Sequence, residues 1–371
     1  MLRKLLALTL AWAFVHTPQA LAEEADLLFQ SSDGFELPAK IAYPENQGKD
    51  PVKKVVILIH GSGPNNMDED LTSVTRDKQK NLHFKDISDA LIKQGFTVIR
   101  YDKRSFVWNQ KIKKNPDLLQ SPELEAFKKN LLNLLVQDAA AFTKMAARRF
   151  PEANIYLYGH SQGTFIALQT AHTHPQVKGV ALEGFYGSPL MAVMLEQFIY
   201  RYMPVLRTID TNQDEVLSDQ ELENIKNPLF VSLKQQKPVL DVNQDGRLTL
   251  MEVMAGNYTQ YQAQYLNPHS DMSSYTAQEA SYPPPVKILQ QADFKVAFFQ
   301  GEWDNQTPVY NTQSIQLMNR MSWKKDNLRF WYFPQLGHAL DLRDSYLDIV
   351  YSPIKPEALR TVAKELGKWF D

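Results

Sequence analysis

Cysteine is absent from this chain of 371 residues. That excludes structural disulfides, thiol catalysis, cysteine metal sites and lipid attachment through a cysteine. Charge of one sign is not in excess either. With 40 Lys and Arg against 42 Asp and Glu, no global field draws the protein to nucleic acid or to an anionic membrane surface. Beyond the first residues, no run is apolar for long enough to span a bilayer. What is present is a 44% hydrophobic composition, enough to bury the core of one large α/β domain with an insertion.

The N-terminus has the three parts of a secretory signal. Arg3 and Lys4 make a positive start, Leu5 to Val15 an apolar stretch, and Ala20-Leu21-Ala22 a small-x-small cleavage site. The stretch would rise only ~16 Å as a helix, against a hydrocarbon core of ~30 Å, so cleavage is expected rather than anchoring. Residues 1–22 are therefore read as a leader, and the mature chain, beginning near Glu23, as periplasmic or secreted. Export without cysteine suits a bacterial periplasm.

Leu27–Gln30 and Phe35–Tyr43 read as a hairpin about Ser31-Ser32-Asp33-Gly34. Val55–Ile59, Thr97–Tyr101 and Ile155–Tyr158 are continuous apolar runs of strands buried on both faces, separated by helix-like Lys85–Gln94 and Asn130–Phe150. Val177–Leu182, Lys295–Phe299 and Leu328–Phe333 add strands, and Lys355–Phe370 a closing helix. The alternation specifies an α/β fold with a mainly parallel sheet and helices on both faces. One connection is far too long for a simple link. The core is thus expected in two parts, 23–187 and 286–371, with a cap insertion over 188–285 that ends at Tyr282-Pro283-Pro284-Pro285. Ser105–Lys129, with Lys111, Lys113 and Lys114, reads as an irregular solvated loop.

Gly159-His160-Ser161-Gln162-Gly163 lies between a strand and a helix-compatible segment, the context a G-x-S-x-G nucleophile elbow requires. Ser161 is the expected nucleophile. Upstream, Val55–Ile59 ends in His60-Gly61-Ser62-Gly63-Pro64, a turn exposing backbone N–H groups. The N–H groups of Ser62 and Gln162 are the expected oxyanion donors, with Gly61 in reserve and His60 bracing the loop. His338, after the last strand, is the expected general base. His83, His172, His174 and His269 fall in helix or loop surroundings that suggest surface roles. Asp304 follows the strand before that of His338 and is the expected orienting acid, with Glu302 and Glu183 as competitors.

These residues resemble the α/β-hydrolase superfamily, and within it the exported esterases and serine peptidases or thioesterases that carry His-Gly-Ser-Gly-Pro before a strand ending in Arg-Tyr-Asp-x-Arg. The corresponding residues are His60–Pro64 and Arg100-Tyr101-Asp102-Lys103-Arg104. The resemblance covers Val52–Arg104, Asn130–Gly187 and Lys295–Asp371 and implies a Ser-His-Asp mechanism through an acyl-enzyme. The chain departs from such relatives at Ser105-Phe106-Val107-Trp108, where they continue with glycine-rich residues.

The insertion carries a second chemistry. Asp241–Glu252 matches an EF-hand calcium loop, with oxygens from Asp241, Asn243 and Asp245, glycine at Gly246, apolar Leu248 and carboxylate Glu252. Arg247 and Thr249 occupy its seventh and ninth positions. Asp210–Glu221 repeats the pattern through Asp210, Asn212, Asp214, Val216, Ser218 and Glu221, but Glu215 stands where glycine eases the sharp turn. Two such loops are expected to pair through Leu217 and Leu248, burying both. Met191, Met194, Phe198, Tyr200 and Tyr202 either line an acyl site or pack the cap helices together. Three readings follow: a calcium-stabilised carboxylesterase acting on a small acyl substrate, a peptidase or thioesterase using the same triad, and a calcium-binding module on an inactive scaffold. No organic cofactor is implied.

Overall fold

A hairpin opens the sheet: β1 (Glu24–Gln30) and β2 (Glu36–Ala42) pair antiparallel about a turn in which Gly34 takes φ 80°, a left-handed position that suits glycine. The structure, a computed structural model, describes residues 23–44, 50–225 and 230–371, so the expected leader lies outside the described residues. β3 (Lys54–Ile59), β4 (Thr97–Tyr101), β5 (Asn154–His160) and β6 (Val177–Glu183) follow. The two-residue strands β7 (Val216–Leu217) and β8 (Leu248–Thr249) form a separate ribbon in the insertion. β9 (Lys295–Gly301) and β10 (Leu328–Phe333) complete an eight-stranded sheet of order β1-β2-β4-β3-β5-β6-β9-β10. From β4 to β10 every pairing is parallel.

Strand periodicity explains the layers. In β3, Val55, Ile57 and Ile59 enter one apolar cluster while Val56 and Leu58 enter another, because successive side chains point to opposite faces. Before the insertion come α1 (His83–Ile92), α2 (Arg104–Lys114), α3 (Pro122–Lys129), α4 (Leu131–Arg149) and α5 (Gln162–Thr173). The insertion holds α6 (Leu190–Leu195), α7 (Tyr202–Ile209), α8 (Asp219–Glu223), α9 (Leu233–Leu240), α10 (Leu250–Tyr261) and α11 (Asp271–Ser281). α12 (Pro285–Gln291), α13 (Tyr310–Met318) and α14 (Pro356–Trp369) come after it. Leu135 and Phe142 of α4, Phe165 of α5 and Ile288 of α12 cover one face; Phe84 and Leu91 of α1 with Val362 and Leu366 of α14 cover the other. Among the described residues no helix is long and apolar enough to cross a membrane.

Two expectations are corrected. Ser105–Lys129 is helical rather than a loop: α2 buries Trp108 against Leu124 and Phe127 of α3, and the Ser121 hydroxyl caps α3 by accepting from Leu124 N–H. Lys111, Lys113 and Lys114 fall in the last turn of α2, where they offset the negative end of the helix dipole. Arg104 explains why the chain turns into a helix here. Its guanidinium binds Asp138 of α4 (2.9 and 2.5 Å) and Asp33 of the hairpin turn (2.7 Å), tying three segments together. His83 is no surface residue but wholly buried.

The insertion has its own core of Val205, Leu206, Leu217, Phe230, Leu240, Leu248 and Val253, among others. Leu217 lies opposite Leu248, and both are buried. Phe198 packs on Tyr265 and Tyr202 on Phe230, so these rings join cap helices; Tyr200 is exposed.

Candidate active site

β5 runs into α5 through Ser161, whose backbone (φ 54°, ψ −120°) is one few side-chain-bearing residues adopt. The flanking glycines are obligatory. A Cβ at Gly159 would come within 2.3 Å of the Gly163 carbonyl oxygen, and one at Gly163 within 2.0 Å of the Ile59 carbonyl oxygen. Only glycine lets the elbow lie this close to β3. Ser161 N–H donates to the Glu183 carbonyl (2.9 Å), fixing the strained residue to the next strand.

The ring of His338 is held from behind. Its Nδ1 lies 2.9 Å from Asp304 Oδ2, and both residues are buried. Asp304 accepts from Gln306 N–H and Thr307 N–H (both 2.9 Å), from the Thr307 hydroxyl (2.7 Å) and from Gln300 Nε2 (2.8 Å). Burial alone would raise its pKa; the facing imidazole and the Thr307 bonds reverse this and bring it down to about 2. The carboxylate is therefore charged and able to hold Nδ1–H toward itself. Glu183 is committed elsewhere, to His83 Nε2 (3.1 Å) and the Tyr158 hydroxyl, and Glu302 is exposed. Ser161 Oγ makes no hydrogen bond to His338, a looseness common in free enzymes.

The turn after β3 passes over the nucleophile: a Cβ at Gly61 would lie 3.2 Å from Ser161 Cβ. Gly61 N–H is already spent on Glu69 Oε1 (2.7 Å), which removes it as a reserve oxyanion donor. Ser62 N–H has no partner among the described residues, and Gln162 is the first residue of α5, where N–H groups lack helical acceptors. His60 is buried against Phe84 and Tyr101, and desolvation pushes its pKa down to about 4, so it braces the turn as a neutral ring.

A buried network that sequence reasoning missed lies behind the elbow. Glu69 Oε2 sits 3.1 Å from His160 Nδ1. Burial opposes charge on both, yet their attraction brings Glu69 down to about 2 and His160 up to about 9. Lys103 Nζ donates to the Gly61 carbonyl (2.5 Å) and to Gln162 Oε1 (2.7 Å). Gln162 Nε2 in turn donates to the Tyr275 hydroxyl of the cap (2.8 Å). Glu69, His83 and His160 converge closely enough to hold a metal; Glu69 is bonded to His160 and to Gly61 N–H and His83 to Glu183, while His83 Nδ1 and His160 Nε2 have no hydrogen-bond partner among the described residues. His160 and Lys103 lie inside recognised motifs; only folding brings Glu69 to them.

The two acidic loops share one backbone. Asp210 accepts from Asp214 N–H (3.2 Å) and Glu215 N–H (2.9 Å), as Asp241 does from Asp245 N–H (3.2 Å) and Gly246 N–H (2.9 Å). Asn212 and Asn243 accept from the same Asp214 and Asp245 amides. Gln213 and Gln244 are left-handed at the fourth position, Glu215 (φ 61°) and Gly246 (φ 80°) at the sixth. Val216 N–H and Arg247 N–H donate to Asp214 and Asp245, and Ser218 and Thr249 cap α8 and α10 in boxes closed by Glu221 and Glu252. The cap reaches the catalytic edge: Arg201 Nη1 donates to the Asn305 carbonyl (3.0 Å) and Gln197 Nε2 to that of Gln306 (2.9 Å), beside Asp304.

Residues 81–237 match the family described as serine aminopeptidase, S33. Esterase EstD of Thermotoga maritima is 34% identical over 164 residues, which are 44% of this chain and 34% of that protein. The match thus spans about a third of the relative's length. Among solved structures, the Pyrococcus furiosus esterase Pf2001 superposes with a TM-score of 0.50 at 13% identity, covering 94% of this chain and 92% of that one. Est1E from Butyrivibrio proteoclasticus gives 0.48 at 16% identity, covering 93% and 98%. The sheet order, the helices on both faces and the family match make this an α/β-hydrolase fold.

Proposed function

We propose that this chain, a member of the α/β-hydrolase superfamily, is a serine hydrolase that cleaves carboxylic esters through an acyl-enzyme on Ser161. The observation that carries the reading is the strained Ser161 elbow on the same sheet edge as the buried His338–Asp304 pair. Ser161 Oγ attacks the acyl carbon as His338 Nε2 takes its proton. Asp304 holds Nδ1–H and stabilises the imidazolium. The negative charge that develops on the carbonyl oxygen is received by the N–H groups of Ser62 and Gln162. Collapse of the tetrahedral intermediate breaks the ester C–O bond, and His338 returns the proton to the leaving alcohol. Water then repeats the sequence on the acyl-enzyme, releasing the acid and restoring Ser161.

Ester chemistry is favoured by the named esterase relative; the aminopeptidase description of the matching family favours peptide hydrolysis as the second reading. A panel of chromogenic esters, thioesters and aminoacyl amides separates them. Ser161→Ala should lower turnover of the preferred substrate by ~10⁴-fold or more with unchanged circular dichroism. Activity retained within about tenfold, set against that usual loss, would leave the elbow structural and the chain a calcium-binding module on an inactive scaffold.

The cap reading rests on the shared loop conformation. Asp210, Asn212, Asp214 and Glu221, and Asp241, Asn243, Asp245 and Glu252, are hard oxygen donors of the kind calcium takes, with Ser218 and Thr249 hydroxyls beside them. The backbone carbonyls of Val216 and Arg247 belong to the same sets. Calcium bound there would neutralise crowded carboxylates and stabilise the cap. Export follows from the leader-like N-terminus, and mass analysis of the mature protein from periplasm or medium should find a chain beginning near Glu23.

A further inference from the structure

Lys103 is 4% exposed, and its ammonium touches only neutral oxygens, Gly61 O and Gln162 Oε1. No described carboxylate lies within ion-pair distance of it. A buried ammonium without a contacting counter-ion is costly, and desolvation drives its pKa down to about 7 against the pull of Glu69. Core packing does not require such a group. Its two partners are notable: Gly61 O belongs to the peptide unit that carries Ser62 N–H, and Gln162 is the other residue whose N–H is assigned as an oxyanion donor.

The chemistry of the peptide group gives the arrangement a purpose. The Gly61 carbonyl and the Ser62 N–H are the two ends of one peptide unit. A cation on the oxygen favours the resonance form with positive charge on nitrogen, so the N–H becomes a stronger donor. It also fixes the plane of the peptide, with Asn65 Nδ2 as a second donor to the same oxygen (3.1 Å). The preceding peptide unit is fixed as well, because Glu69 holds Gly61 N–H (2.7 Å). The donor peptide is thus gripped before substrate arrives, which is the preorganisation that makes an oxyanion hole effective.

We propose that Lys103 is the positioning residue of the oxyanion hole, its ammonium orienting and polarising the Gly61–Ser62 peptide while anchoring the Gln162 side chain. The inference rests on the serine-hydrolase reading, so that reading is checked first. A fluorophosphonate probe should label the wild type once per chain and Ser161→Ala not at all; failure there sinks the hydrolase reading itself. With labelling established, Lys103→Met, which keeps the stem and removes the charge, should lower kcat by about ten- to a hundredfold, less than the loss of a whole oxyanion donor. KM should change by less than about threefold, because the charge acts on the transition state rather than on the ground state. Affinity for a trifluoromethyl ketone, which mimics the tetrahedral oxyanion, should fall in step with kcat/KM. Lys103→Gln, a neutral donor, should fall between the two, and Lys103→Arg should recover part of kcat.

A structural clamp would give a different pattern. Lower melting temperature with kcat unchanged in the folded fraction would overturn the proposal, as would a fall in kcat with undiminished affinity for the ketone. Failure of both neutral variants to fold would also overturn it, since the ammonium would then serve the fold first.

Discussion

Two buried carboxylates, Glu183 at the end of β6 and Asp304 just beyond the end of the adjacent β9, meet different partners. Asp304 is saturated by donors that favour its charge and faces His338 Nδ1; Glu183 is spent on His83 and Tyr158. Asp304→Asn should therefore lower kcat by ~10³–10⁴-fold through loss of the correct imidazole tautomer. Glu183→Gln should leave kcat within about tenfold, as expected of a residue outside the reacting group, and act on stability instead. Steady-state kinetics and melts on both variants check the assignment, and an inactive Glu183→Gln would reverse it. The Glu69–His160 pair adds a pH signature. Glu69 is depressed from 4.5 to about 2, so its contribution is present above pH 4.5 and lost as pH falls toward 2. His160 is raised from 6.5 to about 9, so its contribution is full below pH 6.5 and lost as pH rises through 9. These are one ion pair seen from its two ends. Melting temperature should decline at both ends of the range, and Glu69→Gln should flatten both declines.

At the scale of elements, the β7–β8 ribbon joins two loops of the same shape made from unequal residues. Glu215 holds φ 61° where its counterpart Gly246 holds φ 80°, and a side chain in that region costs about 1 kcal/mol or more. Glu215→Gly relieves that strain at the cost of extra freedom in the unfolded chain. The cap is expected to gain up to about 1 kcal/mol, and Gly246→Ala to lose a similar amount. Chemical denaturation followed by fluorescence of cap tyrosines reads both; no gain in the first variant would mean that Glu215 supports the loop in a way its backbone does not reveal. Elements also explain the misread segment. A Ser-Pro start at Ser121 and Pro122 is a helix signal, but the apolar residues of α2 and α3 are sparse. Their burial comes from Trp108 meeting Phe127 and Leu124, a contact between helices rather than a pattern within one.

At the scale of the whole molecule, the paired-loop part of the cap has a core of its own, while Val193 and Tyr275 of the insertion join the core of the sheet, so the loops and the sheet should respond separately to metal. At free calcium ten times the dissociation constant, each loop would add only ~1.4 kcal/mol, enough to order a cap but not to sustain a large α/β core. Calorimetry on chelator-stripped protein should show binding heat and a calcium-dependent early melting transition, with the later one unmoved. Absence of binding heat together with identical melts would discard calcium. The cap touches the catalytic edge through Arg201, Gln197 and Tyr275, so ester preference should shift when calcium is removed; binding with unchanged kinetics would confine the metal to stability.

Local features were legible before folding. The elbow, the glycine-rich turn, the strand runs, the paired loops and the order Ser161, Asp304, His338 all depend on neighbours in the chain, where backbone sterics and period-two burial leave a readable pattern. Even the preference for Asp304 over Glu183 follows from its place after the penultimate strand. Partners distant in sequence were not legible. Glu69 meets His160 across 91 positions and Lys103 meets Gln162 across 59, and nothing near any of them marks it as buried. His83 looked like a surface residue because its helix is amphipathic and its face toward Glu183 is decided only when α1 docks on the sheet. Tertiary structure decided which polar groups lose their water, and desolvation in turn decides which must be paired, which titrate far from their usual range, and which backbone N–H groups stay free for substrate.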